Sequence, residues 1–319
     1  MSRHSKRDLS EFGDLFMPDQ ADEPILPPPV RAALLEWLTE IWADKELLAV
    51  GIKPRRRAMF EGPPGTGKTT LAHHMAARLG LPMLAVRPDR MIGKYMGETS
   101  QTIGALFEAA RAQFDGSPIV LFMDEFDTLA SDRRKAGQAA DNDRNEYVGT
   151  LLQRLEQYEG FLIAATNHAD WIDQAIWRRF DMHITVDLPG QEERERILAR
   201  YLSPFGLPAL ALARLAEAFS SASPALMKTV CENIKRQIVI GPRLGSDMGR
   251  EAVFARILTS VHPHPDLGTP RLWSLGAKDP ALTVMPWPLP LAADLPDVEA
   301  AEDDAAGQDV VVPFGGRRP

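Results

Sequence analysis

An α/β fold built on a mostly parallel sheet is predicted by three features of the sequence. A glycine-rich nonapeptide, Gly62-Pro63-Pro64-Gly65-Thr66-Gly67-Lys68-Thr69-Thr70, lies between a short apolar run and a helical pattern. Two further apolar runs, 119–123 and 161–165, stop abruptly at polar residues, as strands buried on both faces do. Helical patterns separate these runs, which is the alternation of βαβ units.

Taken in order, residues 1–26 are polar and punctuated, with Phe12, Leu15, Phe16 and Met17 as their apolar cluster. So short a segment buries little area and reads as a flexible arm, or as a piece that docks on a partner or on the domain. Pro27-Pro28-Pro29 ends it, and Leu34, Leu35, Trp37, Leu38, Ile41 and Trp42 recur at helical spacing. Ala58-Met59-Phe60 is the first strand, and the helix after the nonapeptide starts near Leu71. Further strands are expected at 81–86, 119–123, 161–167 and 183–187, with helices from 99 to 114 and around Val148 to Tyr158. Beyond Gly190 the strand pattern ceases, and helical stretches at 191–203, 209–219, 223–240 and 247–260 suit a small all-helical domain. From 262 onward proline and acid dominate, which predicts a disordered tail; Val310-Val311-Val312-Pro313-Phe314 is a candidate docking peptide within it. The domains are therefore expected at 1–26 (arm), 27–190 (α/β), 191–261 (helical) and 262–319 (tail).

Composition narrows the function. A charged content of 25% and a hydrophobic content of 45% are those of a globular chain. The formal net charge of −8 argues against a broadly nucleic-acid-binding surface. One cysteine, Cys231, excludes an internal disulfide framework and reads as a small buried hydrophobe. No apolar run reaches the roughly 18 to 20 residues of a membrane span, and the polar N-terminus is unlike a secretory signal, so a cytoplasmic location is expected.

The nonapeptide has the spelling of a P-loop. Its glycines let successive N–H groups converge on a phosphate, where the following helix adds its positive end. Lys68 can reach the β- and γ-phosphates, and the Thr69 hydroxyl can ligate Mg²⁺. Asp124 and Glu125, at the end of an apolar strand, are expected to hold the metal and to polarise the attacking water respectively. Asn167, ending the next buried strand, would orient that water.

These residues resemble an AAA+ ATPase of the classical AAA group. The matching stretches are GPPGTGKTT at 62–70, KYMGE at 94–98, FMDEFD at 122–127, AATN at 164–167 and IDQAIWRRFD at 172–181. In order and spacing the resemblance covers about residues 28 to 260. It implies a P-loop NTPase with a parallel five-stranded sheet of order 5-1-4-3-2, a small all-α lid, and a homo-oligomeric ring, usually a hexamer, with ATP and Mg²⁺ between neighbours. It also implies arginine fingers at Arg178 and Arg179, adjacent as in the katanin and spastin branch, with Arg144 as a further contributor. A pore loop at Lys94, Tyr95, Met96 and Gly97 would grip polypeptide, with a second loop near 133–143. Gly51 would sit beside the adenine, with Pro63, Pro64, Gly65, Thr66, Gly67, Lys68, Thr69 and Thr70 around the phosphates. One departure is the lid sequence Phe219-Ser220-Ser221-Ala222-Ser223-Pro224, where relatives carry Ser-Gly-Ala-Asp after a phenylalanine.

The expected activity is that of an ATP-hydrolysing remodeller pulling polypeptide substrates through a ring. Two alternatives stay open: a nucleotide-switched adaptor or regulator acting without threading, and an ATPase companion of a separate protease. A partner protein would be engaged through the terminal arms.

Overall fold

The computed structural model of the chain describes residues 8–295, apart from 94, 96, 117 and 131–140 and the side chains of 113–116 and 141–145. Six strands form one sheet: β1 (Gly13–Phe16), β2 (Arg57–Glu61), β3 (Met83–Val86), β4 (Val120–Met123), β5 (Phe161–Thr166) and β6 (Met182–Thr185). Their order is β1-β3-β4-β5-β2-β6. Every neighbouring pair is parallel except β1 with β3, which is antiparallel.

The expected five-stranded parallel sheet is thereby corrected to a mixed sheet of six. The sixth strand comes from the segment expected to be a flexible arm. Gly13 to Phe16 pair with Val86 to Met83, and Phe12, 2% exposed, fills the core beneath the sheet. A four-residue strand with an exposed Leu15 has almost no pattern of its own; pairing with the edge of β3 creates it. Gly13 is required at that register, because a Cβ there would lie 2.0 Å from the Ala85 carbonyl oxygen.

The α/β domain has three layers. Helices α1 (Pro28–Trp42), α2 (Asp44–Ala49), α3 (Lys68–Leu79), α4 (Pro88–Met91), α5 (Glu98–Gly116), α6 (Asp127–Ala130), α7 (Asp141–Gln157) and α8 (Gln174–Trp177) surround the sheet. Successive residues of each central strand go to opposite cores. Leu121, Met123, Leu162 and Ala164 join the core under α5 and α7, whereas Val120, Phe122, Ile163 and Ala165 join the core under α1 and α3. That is why the strands read as unbroken apolar runs. Pro28 and Pro29 open α1 rather than block it, since the first helical turn has no intrahelical use for an N–H. Trp37 anchors the helix, donating its indole N–H to the Arg55 carbonyl at 2.9 Å.

A second body of helices follows: α9 (Gln191–Leu202), α10 (Ala209–Ala218), α11 (Pro224–Ile240) and α12 (Arg250–Ser260). The chain does not become a tail at 262. Residues 262–295 add α13 (Arg271–Leu275) and α14 (Pro280–Thr283), which pack on α10. Leu272, Ala281, Leu282, Met285 and Leu289 enter the same core as α9 to α12. The prolines that suggested disorder serve here as helix starts, with Pro280 at N1 behind the Asp279 cap. Two tryptophans lock the return path: Trp273 donates to the Val261 carbonyl at 2.8 Å and Trp287 to the Met248 carbonyl at 2.6 Å. The candidate docking peptide Val310 to Phe314 lies outside the described residues.

Cys231 sits at the centre of this helical core, and burial pushes its thiol up to about 12. Thiolate is the reactive form, so the native protein should leave a thiol reagent such as DTNB unreduced at pH 8. One thiol should titrate on unfolding in guanidinium. Rapid native labelling would contradict this packing.

Candidate nucleotide site

The P-loop joins β2 to α3 and is shaped by positions no side chain could occupy. Gly62 has φ +144° and a Cβ there would lie 2.3 Å from the Val186 carbonyl oxygen, so only glycine permits the loop to leave the strand. The Lys68 ammonium, almost fully buried, donates to the Gly62 and Pro63 carbonyls and to Asn167 Oδ1, each at 2.8 Å. Burial holds Lys68 below the ordinary lysine range, while the negative charges of Asp124 and Asp127 pull it back up. Thr66 donates its hydroxyl to the Pro63 carbonyl at 3.0 Å, which closes the loop on itself.

The ends of β4 and β5 meet the loop from the other side. Thr69 donates its hydroxyl to Asp124 Oδ2 at 2.6 Å, and Asp124 Oδ1 accepts the Glu125 N–H at 2.9 Å. Glu125 has φ +46°, a left-handed conformation that is costly for a side chain with a Cβ and that turns it out of the strand line into the cleft. It is held there by the next residue, whose N–H donates to the Ala165 carbonyl of β5 at 2.8 Å. Lys68, Thr69, Asp124, Glu125 and Asn167 thus converge on one cleft of ≈ 620 Å³.

The helical body forms the opposite wall. The first turn of α11 abuts the P-loop, with the Ala225 N–H donating to the Gly65 carbonyl at 3.2 Å. A Cβ on Gly65 would come 3.0 Å from Ser223 Oγ. The departing sequence 219–224 therefore closes on the phosphate loop through small residues: Ser221 takes φ +66°, and Ser223 caps α11 by accepting the Leu226 N–H.

Three site expectations change. Gly51 is exposed in the turn after α2 and does not line the cleft; its φ of +81° favours glycine there. The segment from Asp22 to Leu26, which sequence reasoning assigned to the arm, lines the cleft instead. Ile25 packs on the helical core and Leu26 on the α/β core, while Arg200 of α9 donates to the Glu23 carbonyl. The apolar pair Ile25-Leu26 between acids and prolines was the available signal. Pro63 contributes a carbonyl to Lys68 but does not line the cleft, whereas Pro64 through Thr70 do.

The remaining candidates lie away from the cleft. Arg178 and Arg179 sit at the end of α8, and neither lines the cleft of its own chain. Arg178 is exposed, with no side-chain partner among the described residues, while Arg179 is paired with Glu156 of α7. Asp181, close in sequence to these arginines, pairs with Arg57 at 3.2 Å. Tyr95 is 73% exposed, its N–H donating to Glu98 Oε2 at 3.1 Å, and Gly97 turns the chain with φ +80°. Lys94, Met96, the loop 131–140 and the side chain of Arg144 lie outside the described residues.

The model of the AAA family, "ATPase family associated with various cellular activities", matches residues 58–188. This chain carries an AAA ATPase domain. The match runs from β2 past β6 and so contains the P-loop, both strand-end acids, Asn167 and the α8 arginines. An uncharacterized AAA family ATPase of Sinorhizobium fredii is 45% identical over 158 residues, covering 49% of this chain and 46% of the relative. A 26S proteasome regulatory subunit of Arabidopsis thaliana (S10B homolog B) is 34% identical over 197 residues, covering 58% and 47%. The proteasome-activating nucleotidase of Methanothermobacter thermautotrophicus is 34% identical over 192 residues, covering 57% and 45%. The chain therefore spans less than half the length of these relatives. The AAA domain is thus related to those of proteasome-activating ATPases; the finer placement beside katanin and spastin goes beyond these matches.

Proposed function

We propose that the AAA domain hydrolyses ATP in a ring-shaped homo-oligomer, a hexamer, and uses the cycle to pull on polypeptide through Tyr95. The observation that carries the hydrolytic reading is the joining of the P-loop to two strand ends, Lys68 to Asn167 and Thr69 to Asp124, with Glu125 turned into the same cleft. Glu125 takes the proton of the attacking water as its oxygen bonds to the γ-phosphorus, and the bond to the ADP oxygen breaks. Lys68 balances the charge on the phosphate oxygens, and Asn167 aims the water. The oxygens of Thr69 and Asp124 suit a hard cation, and these two residues would hold Mg²⁺, which would supply charge neutralisation at the phosphate oxygens.

Arg178 supports assembly-dependent turnover, because an exposed guanidinium outside its own cleft, with no side-chain partner among the described residues, is placed to complete a neighbour's. Its adjacency to Arg179 also supports the katanin and spastin-like placement. Exposed Tyr95, flanked by the Gly97 hinge, supports a grip on extended chain that tolerates many side chains. The proteasomal names of the relatives, and the ATP-dependent zinc metalloprotease FtsH 1 of Symbiobacterium thermophilum at 35% identity, favour work on proteins, including service to a separate protease. No helix among the described residues is long and apolar enough to cross a membrane, and the proposed setting is the cytoplasm.

The test is ATP turnover against protein concentration, with unfolding of a tagged substrate as second readout. Specific activity should rise with concentration, Arg178→Ala should lose at least ~10²-fold, and Tyr95→Ala should hydrolyse ATP without unfolding substrate. A fully active monomer would remove the ring. A Tyr95→Ala protein that unfolds substrate normally would remove threading in favour of a nucleotide-switched adaptor.

A further inference from the structure

Asn167 stands one residue beyond the end of β5, where the sheet ladder no longer holds the backbone. What fixes it is its neighbour. Thr166, 1% exposed, donates its hydroxyl to Asp127 Oδ1 at 2.7 Å and accepts the His168 N–H at 2.9 Å. With the hydroxyl proton committed to the carboxylate, the oxygen lone pairs face His168, and a tight turn closes around Asn167. Asp127 lies in the first turn of α6, three residues after Asp124, so the segment that brings the metal-side acid also supplies this anchor. The Phe126 N–H, bonded to the Ala165 carbonyl at 2.8 Å, is a second tie between the same two strand ends. Asn167 in turn accepts from Lys68 at 2.8 Å, but Lys68 is also held by the Gly62 and Pro63 carbonyls, so the turn bears on the water-side amide more than on the phosphate-side ammonium.

From this arrangement we infer that Asp127 and Thr166 are positioning residues for hydrolysis, a hydroxyl–carboxylate pair that holds Asn167 on the attacking water without touching it. The inference rests on the hydrolytic reading above. It makes turnover, rather than nucleotide affinity, the quantity these two residues control. A burial-only role for Thr166 predicts the opposite: loss of the hydroxyl with retention of the branched shape would leave turnover intact.

The experiment compares Thr166→Val, Thr166→Ser, Asp127→Ala and Asp127→Asn with wild type and Asn167→Ala, in the full chain. Steady-state ATP turnover gives kcat and KM, and a fluorescent ADP analogue gives nucleotide affinity. Thr166→Val keeps the branched shape and loses the hydroxyl; it should lower kcat roughly tenfold or more, with nucleotide affinity within about threefold of wild type. Thr166→Ser should restore most of the loss, and Asp127→Asn, which keeps an acceptor oxygen, should exceed Asp127→Ala. Wild-type kcat in Thr166→Val overturns the inference, as does equal slowing in Thr166→Ser or a fall of affinity in step with kcat. If Thr166→Val does not fold, the Asp127 pair decides by the same criteria. Failure of the hydrolytic reading looks different: wild type without turnover removes it and this inference together, whereas Asn167→Ala as fast as wild type overturns this inference and leaves hydrolysis standing.

Discussion

Glu125→Gln should bind nucleotide as tightly as wild type and hydrolyse ATP roughly 10²- to 10⁴-fold more slowly. The size follows from what the substitution removes. Glutamine has the volume of glutamate but cannot accept the proton of the attacking water, while the bonds that hold the position are made by backbone N–H groups and not by the Glu125 side chain. The Glu125 N–H is held by Asp124 Oδ1, and the next N–H is anchored to the Ala165 carbonyl. The left-handed φ of +46° is therefore imposed by the two strand ends and should survive in the variant. Phosphate release and binding of a fluorescent ATP analogue, measured on the same sample, separate the two effects. Turnover within about threefold of wild type would show that another group acts as the base. Weaker binding in step with slower turnover would show that Glu125 holds ligand instead.

Asp279→Ala is expected to destabilise the helical body by about 3 kcal/mol. Asp279 is fully buried, and its carboxylate accepts from Arg271 Nε at 3.1 Å and from the Ala281 N–H at 2.8 Å, so it is both an ion-pair partner and the cap of α14. Removing it leaves Arg271 with only the longer contact to Glu217 at 3.9 Å and uncaps the helix. The lower end of the range for a broken buried pair applies because the Arg271 side chain is 39% exposed and keeps part of its hydration. Urea denaturation followed by tryptophan fluorescence reports on Trp273 and Trp287, which lie in this region. A loss below about 1 kcal/mol would mean that 262–295 is a loosely attached annex rather than part of the core. The same packing sets the outcome of truncation. Deleting 263–319 takes Leu272, Leu282, Met285 and Leu289 out of a shared core, so it should destabilise the body that walls the cleft and reduce ATP turnover. Deleting only 296–319 should leave turnover unchanged.

The two expectations that failed for the ends of the chain failed for one reason. Residues 8–26 and 262–295 have weak local patterns, a four-residue strand at one end and proline-punctuated single turns at the other. Their order comes from surfaces supplied by distant residues: the open edge of β3 for Gly13 to Phe16, and the face of α10 for α13 and α14. Composition alone treats such segments as unable to sustain a core, which is true of them in isolation. Gly51 is a different case. Its glycine is legible, but a positive φ in a turn has the same spelling whether or not a ligand lies beside it.

What the sequence by itself determined is which residues meet in the cleft. The P-loop spelling requires a strand before it and a helix after it, and β2 and α3 are there. Asp124, Glu125 and Asn167 were legible because a strand buried on both faces is apolar throughout, so polar residues at its end stand out as an exit toward solvent or ligand. The tertiary structure alone decided how that cleft is closed. The strap from Asp22 to Leu26, the docking of α11 on Gly65 and the anchoring of Thr166 by Asp127 each join residues with no shared local pattern. Periodicity reports which face of one element is buried; it carries no term for which distant segment will cover it.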